Sequence, residues 1–123
     1  MREILAIAVC GAIGALARAG ISAWLVDRPL PWGTLLVNVL GCFVLGLITG
    51  LALADTGLPE AWRKPVATGF LGSLTTFSTF GVETVRLLET SSWQLALANV
   101  VVQLVLGLGA AALGLFLARL LTS

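Results

Sequence analysis

The stretch Gly69-Phe70-Leu71-Gly72-Ser73-Leu74-Thr75-Thr76-Phe77-Ser78-Thr79-Phe80-Gly81 concentrates three glycines, five hydroxyl side chains and three phenylalanines. Glycines and consecutive Ser/Thr weaken a helix, because a hydroxyl competes for backbone groups. Where the helix gives way, carbonyls and N–H groups lose their partners. Freed carbonyls are ligands for a small hard cation such as Na⁺, while freed N–H groups and hydroxyls are donors for an anion. Phe77 and Phe80 are spaced to fall near one another on a helical turn. An aromatic ring carries a positive edge. Two such edges can face an anion without trapping it as a lysine would, which suits passage of an ion.

Other polar residues inside apolar segments are few. Asn38 shares a helical face with Gly41, Cys42, Leu45 and Thr49. Asn99 and Gln103 are one turn apart, and Gly107 and Ala111 continue their stripe. Each amide could bond across to a neighbouring helix or line a pore. Arg18 follows Gly14 by one turn and could snorkel to an interface or draw anions into a vestibule. Glu83 and Arg86 could form a helix-end ion pair.

The elements that must position these groups follow from composition. Of 123 residues, 59% are hydrophobic and 11% charged, and mean hydropathy is +1.06. A soluble domain of this size needs more charge on its surface. The pattern predicts an all-α integral membrane protein in a single domain over 1–123, with four apolar segments at about 4–26, 32–54, 62–88 and 93–121. The third is broken near 72–80. The break must be buried in protein or line a cavity. Asp27-Arg28-Pro29-Leu30-Pro31, Asp55 to Pro59 and Glu89 to Ser92 form the turns. Trp32, Trp62 and Trp93 begin segments two, three and four, and Trp32 fits an interfacial anchor. Ala15-Leu16-Ala17 has the small-x-small form of a cleavage site, but the apolar run continues past it, so a retained first helix is expected.

Small residues recur on every segment, with Gly46 and Gly50 in small-xxx-small spacing, and predict close helix contact. The chain has no His, and Cys10 and Cys42 both lie in apolar segments, so neither a His/Cys metal site nor a disulfide is expected. With a net charge of +1 and no basic patch, nucleic acid is not an expected partner.

With four crossings, Arg2, Arg63, Lys64 and Arg119 fall on one side and Arg18, Arg28 and Arg86 on the other. Four of seven basic residues against three is almost no positive-inside bias. Insertion both ways up, and an inverted homodimer, follow naturally from that balance.

On the motif at 69–80, the chain resembles the Fluc (CrcB) fluoride channel family. The Gly-Ala-Leu-Ala-Arg run ending at Arg18, Gly33-Thr34, Asn38, Gly41 and Asn99 fall in family order along the whole chain. The resemblance implies an inverted, dual-topology homodimer in the cell's inner (plasma) membrane, in contact with lipid. It would export cytoplasmic fluoride passively as a defence against its toxicity. It implies Asn38 as the pore-lining amide of helix two and Phe77 and Phe80 as the fluoride-facing rings. Gly72 and Thr75 would give backbone carbonyls to a structural Na⁺ at the dimer axis. Ser78 and Thr79 would lie beside the ion path, with Thr79 the better candidate for contact. Arg18 would lie by the vestibule and Glu83 near a pathway end.

One departure concerns helix four, where family members carry a polar track rich in hydroxyls. Here the stripe reads Gln103, Gly107, Ala111. Gln103 can still donate, whereas the other two offer no side-chain donor. Water, helix-three hydroxyls or a second, different subunit could complete the track, or the chain could use one pathway less well.

A small dual-topology proton-coupled cation or multidrug exporter is the alternative. It requires a membrane-embedded carboxylate, and helix one has none, since Glu3 is at the N-terminus and the other carboxylates read as loop or helix-end residues. A scaffold subunit would explain the glycines but not the hydroxyls and phenylalanines. No constellation here suggests an enzyme.

Overall fold

The structure is a computed structural model that describes residues 1–25 and 30–123. The turn expected around Asp27 and Arg28 lies largely outside the described residues. Among those described, every regular element is helical. Three helices are long and apolar enough to cross a membrane: α1 (Arg2–Trp24), α2 (Trp32–Leu53) and, last in the chain, α6 (Trp93–Thr122). Between α2 and α6 lie the short α3 (Glu60–Lys64), a π-helical segment (Pro65–Leu71), α4 (Gly72–Leu74) and α5 (Phe77–Thr90).

The segmentation between Glu60 and Thr90 has local causes. Pro65 has no N–H to give to the preceding turn, and its ring crowds a carbonyl there. The ladder re-registers through wider π turns, which carry the chain to Gly72. Thr75 and Thr76 then leave helical geometry altogether, with ψ of 155° and 114°. α5 restarts on Thr76, whose hydroxyl accepts from the Thr79 N–H at 3.2 Å. Ser92 caps α6 in the same way, accepting from the Leu95 N–H at 3.2 Å. The α2–α3 connection turns at Asp55 and Gly57, both with positive φ. The value of 85° at Gly57 is one that a side chain disfavours.

Two helix pairs make the frame, and small residues bring both pairs close. α1 lies on the π segment and α4. A Cβ on Gly14 would strike the Phe70 carbonyl, and one on Gly69 would lie 2.6 Å from the Ile7 carbonyl. α2 packs most extensively on α6. Cβ atoms at Gly46, Gly50 and Gly114 would strike Ala111, Ala118 and the Phe43 carbonyl respectively. The contacts advance together along both members of each pair, so each pair is parallel. Val37, Leu71 and Leu74 are buried where α2 meets the π segment and α4, with Ala17, Ile21 and Phe70 packed around them. Among the described residues, ion pairs lie at one end, Lys64 to Glu3 at 3.1 Å and Arg63 to Asp55 at 3.7 Å. Both include exposed partners and contribute little energy, but the first sets the start of α1 beside α3 and the second ties α3 to the turn after α2.

Large apolar side chains face outward on every long helix, among them Leu16, Val101, Val105 and Leu108. The accessible surface is 7856 Å², against about 6300 Å² for a compact soluble monomer of 12.8 kDa. An exterior this apolar belongs against lipid or other protein.

Candidate functional site

The interruption at Thr75 and Thr76 is held open from α2. Asn38 Oδ1 accepts from the Thr76 N–H at 2.8 Å, and Asn38 Nδ2 donates to the Thr76 carbonyl at 3.2 Å. One side chain thereby supplies a donor and an acceptor to a backbone that has left the helix. The unpaired backbone would otherwise cost about 1–3 kcal/mol for each buried group. Gly41, one turn beyond Asn38, makes room for the break, because a Cβ there would strike the Thr75 methyl.

Two carbonyls are released by these bonds. In a continuous helix Gly72 would accept from the Thr76 N–H and Thr75 from the Thr79 N–H. The first of those donors goes instead to Asn38, and the second to the Thr76 hydroxyl. The Thr75 hydroxyl turns back to the Leu71 carbonyl at 2.9 Å. The hydrogen of the Thr75 side chain is thereby committed, while its backbone carbonyl has left the helical ladder. Gly72 is exposed and Thr75 half-buried.

Beside the break runs an open groove of about 340 Å³ between α2, the π segment, the start of α5 and α6. Asn38, Gly72, Thr75, Thr76, Phe77, Phe80 and Gln103 line it, with Gly107 beyond Gln103. Phe77 and Phe80 meet with ring centroids 5.6 Å apart and planes tilted by 57°. Phe77 is 82% exposed, an outward posture for a phenyl ring that the single chain does not cover. Asn38 Nδ2 also donates to Gln103 Oε1 at 3.2 Å, joining α2 to α6. Gln103 Nε2 is buried with no hydrogen-bond partner among the described residues.

Asn38, Gly72, Thr75, Phe77, Phe80 and Gln103 thus share one groove, whereas Ser78, Thr79 and Arg18, like Asn99 and Glu83, do not line it. Ser78 is exposed and Thr79 half-buried, and neither lines the groove. Both hydroxyls engage Thr76, at 3.3 and 2.9 Å. Arg18 is half-buried on α1, away from the groove wall.

Two expectations need correction. Glu83 does not pair with Arg86. It sits in the middle of α5, and its carboxylate accepts from the Thr34 hydroxyl of α2 at 2.9 Å. Its other oxygen is buried without a hydrogen-bond partner among the described residues. The reading of every carboxylate as a loop or helix-end residue therefore fails at Glu83. The helix-four stripe is also not one surface. Gly107 faces the groove, whereas Ala111 is packed against Gly46. No hydroxyl is missing at Ala111, because that position is a helix contact.

Sequence reasoning overlooked Thr76. It is the α5 N-cap, the partner of Asn38 and the hub of the neighbouring hydroxyls. A Thr directly before a helical run was the available signal. Thr84 was also missed. It donates to the Phe80 carbonyl at 2.7 Å and accepts from Asn99 Nδ2 at 2.9 Å, tying α5 to α6.

Comparison with known proteins places the chain. The family described as CrcB-like protein, Camphor Resistance (CrcB), matches residues 5–115. A protein of Symbiobacterium thermophilum named fluoride-specific ion channel FluC 2 is 49% identical over 111 residues, covering 88% of this chain and 90% of its own length. The fluoride-specific ion channel FluC of Syntrophotalea carbinolica is 46% identical over 95% of this chain and 98% of its own. That of Magnetococcus marinus is 46% identical over 97% of this chain and 99% of its own. With a match this long and identities this high, the chain belongs to the CrcB-like family.

Proposed function

We propose that this protein is a fluoride-selective channel that lets cytoplasmic fluoride leave the cell down its gradient, lowering cellular fluoride and protecting against its toxicity. It is a membrane protein and not an enzyme. The carrying observation is a single groove lined by two phenyl rings, two side-chain amides and a held-open backbone, in a chain whose relatives are named fluoride-specific ion channels. The lining groups that face an anion are weak donors and no lysine is among them. Binding is then strong enough to strip water from a small anion and weak enough to release it.

The finer reading extends from there. The chain crosses the inner (plasma) membrane four times, with the third crossing broken at Thr75 and Thr76. The parallel pairing of α1 with the π segment, and of α2 with α6, fits alternating crossings. The near-balanced basic residues support insertion in both orientations, and the apolar exterior supports an inverted homodimer surrounded by lipid. The carbonyls of Gly72 and Thr75 suit a structural Na⁺, because a hard cation takes neutral backbone oxygens that lack other partners. A second copy across a two-fold axis doubles that donor set. Asn38, Gln103, Phe77 and Phe80 border the fluoride path. Thr79 and Ser78 stiffen its wall through Thr76, and Arg18 raises anion concentration in the vestibule.

The test is flux. Purified protein in liposomes should release fluoride but not chloride with no proton gradient imposed. Phe80→Ile should cut fluoride release at least roughly tenfold, the loss of one favourable ring-edge contact in a dry site, while the assembly stays intact on gel filtration. Proton-driven uptake of an organic cation in place of fluoride release would favour the exporter.

A further inference from the structure

α5 carries both phenyl rings of the groove, yet none of its residues is buried in the chain. Its apolar side chains Val82, Val85 and Leu88 face outward. Burial of apolar surface therefore does little to fix where this helix lies against the bundle. Directed bonds do more, and two of them sit side by side beyond the groove. Glu83 accepts from Thr34 of α2, and Thr84 accepts from Asn99 of α6.

The second of these bonds continues to the backbone of Phe80. The Thr84 hydroxyl has one hydrogen and gives it to the Phe80 carbonyl at 2.7 Å. Its oxygen is then left to accept, and Asn99 Nδ2 donates to it at 2.9 Å. A helical threonine divides between two rotamers, and Asn99 holds Thr84 in the one that reaches back a turn. Asn99 is itself only 3% exposed. Two bonds thus run from a buried amide on α6, through Thr84, to the residue whose ring lines the groove. Ser91 and Ser92 alone join α5 to α6, so the two helices run in opposite senses. One turn along α6 from Asn99 lies Gln103, and one turn back along α5 from Thr84 lies Phe80, and both line the groove. The attraction of a ring edge for an anion depends on where the edge points. A shift of α5 on α6 changes it without any change in the ring.

We propose that Asn99 and Thr84 are positioning residues for fluoride passage: their bond sets the register of α5 on α6 and so holds the Phe80 ring at the groove. This rests on the fluoride reading above and adds to it two residues that do not line the groove.

The experiment reads fluoride release from liposomes, with gel filtration of each variant. A second readout is fluorine NMR of protein carrying para-fluorophenylalanine in place of Phe80. Asn99→Leu breaks the tie, keeps the size and leaves no buried donor unpaired, while Thr84 keeps its bond to Phe80. It should lower flux roughly threefold to tenfold, the worth of one hydrogen bond, and shift or split the fluorine resonance. Asn99→Leu combined with Thr84→Val replaces both partners by apolar groups of similar shape, which a fold tolerates well, and should lose at least as much flux. Thr84→Ser keeps both bonds and should hold flux within about twofold of native. On a Phe80→Ile background, Asn99→Leu should change flux by less than about twofold, because it acts through the ring.

Native-like flux in both Asn99 variants would overturn the proposal. The full loss repeated on the Phe80→Ile background would overturn it too, as would loss of folded protein in both Asn99 variants, since the tie would then be a general support of the fold. A native protein that passes no fluoride would instead sink the channel reading. The fluorine resonance would still decide the tie in that case, and a resonance unmoved by Asn99→Leu would end the positioning role.

Discussion

α2 and α6 touch along most of their length, yet the two halves of that contact are chemically opposite. Along one half, Gly46, Gly50 and Gly114 meet Ala111 and Ala118 so closely that backbone rests on backbone. Along the other half, Asn38 and Gln103 keep the helices apart at hydrogen-bonding distance, and the groove opens beside them. The dry half is held by dispersion, which is the available attraction between apolar helices in lipid. The polar half is held by directed bonds, which fix orientation as well as distance. The same helix pair therefore acts as a rigid clamp along part of its length and as a wall of fixed donors along the rest. A site with about 0.5 Å of tolerance needs such a rigid support.

The largest expected effect comes from breaking the dry half. Gly114→Val places a side chain against the Phe43 carbonyl and the Leu47 nitrogen, neither of which can rotate away. Overpacking costs typically about 1–3 kcal/mol where side chains can give, so a collision with two backbones should remove most folded protein. Gel filtration and thermal unfolding in detergent would measure this. Survival with native-like stability would mean that the helices slide, and that the clamp is not rigid.

An intermediate effect is expected at the boundary. Gly41→Ala strikes only the Thr75 methyl, so it should cost about 1–3 kcal/mol and disturb the break more than the bundle. Thr75→Ser removes the methyl and keeps the hydroxyl that bonds to Leu71. The double variant should recover stability and flux together. Failure to recover would show that Gly41 is needed for something besides space.

The smallest effect is expected where the helix pair is open. A Cβ on Gly109 meets nothing within 4 Å. Gly109→Ala should be neutral or stabilising by up to about 1 kcal/mol through helix propensity. Loss of the proposed dimer in this variant, with the monomer still folded, would instead place a partner subunit on that face.

Much of the frame was legible in the sequence because it rests on local rules. Apolar length, Pro/Gly punctuation and small-residue spacing all point to long, closely packed helices. The break was legible as a cluster of helix-weakening residues, since Gly72, Ser73, Thr75 and Thr76 are adjacent in the chain. The Phe77–Phe80 pair was legible because its spacing is one helical turn. Less was legible at Glu83, whose partner Thr34 is 49 positions away, and at Ala111, whose packing face is set by the crossing of α6 over Gly46. A four-residue stripe names a face of a helix, but a second helix can cover part of that face and leave the rest open.

The sequence by itself determined that this chain is a membrane protein, that its third segment must interrupt, and, through the motif at 69–80, to which family it is related. Composition and nearest-neighbour chemistry carry those conclusions, and they do not depend on how segments meet. Only the tertiary structure decided which group holds the interruption open and which donor is left over. Both depend on Asn38, Thr76 and Gln103, three residues on different helices, meeting within about 3 Å of one another. The direction of an amide is a property of its surroundings: Thr76's backbone orients Asn38, and Asn38 orients Gln103.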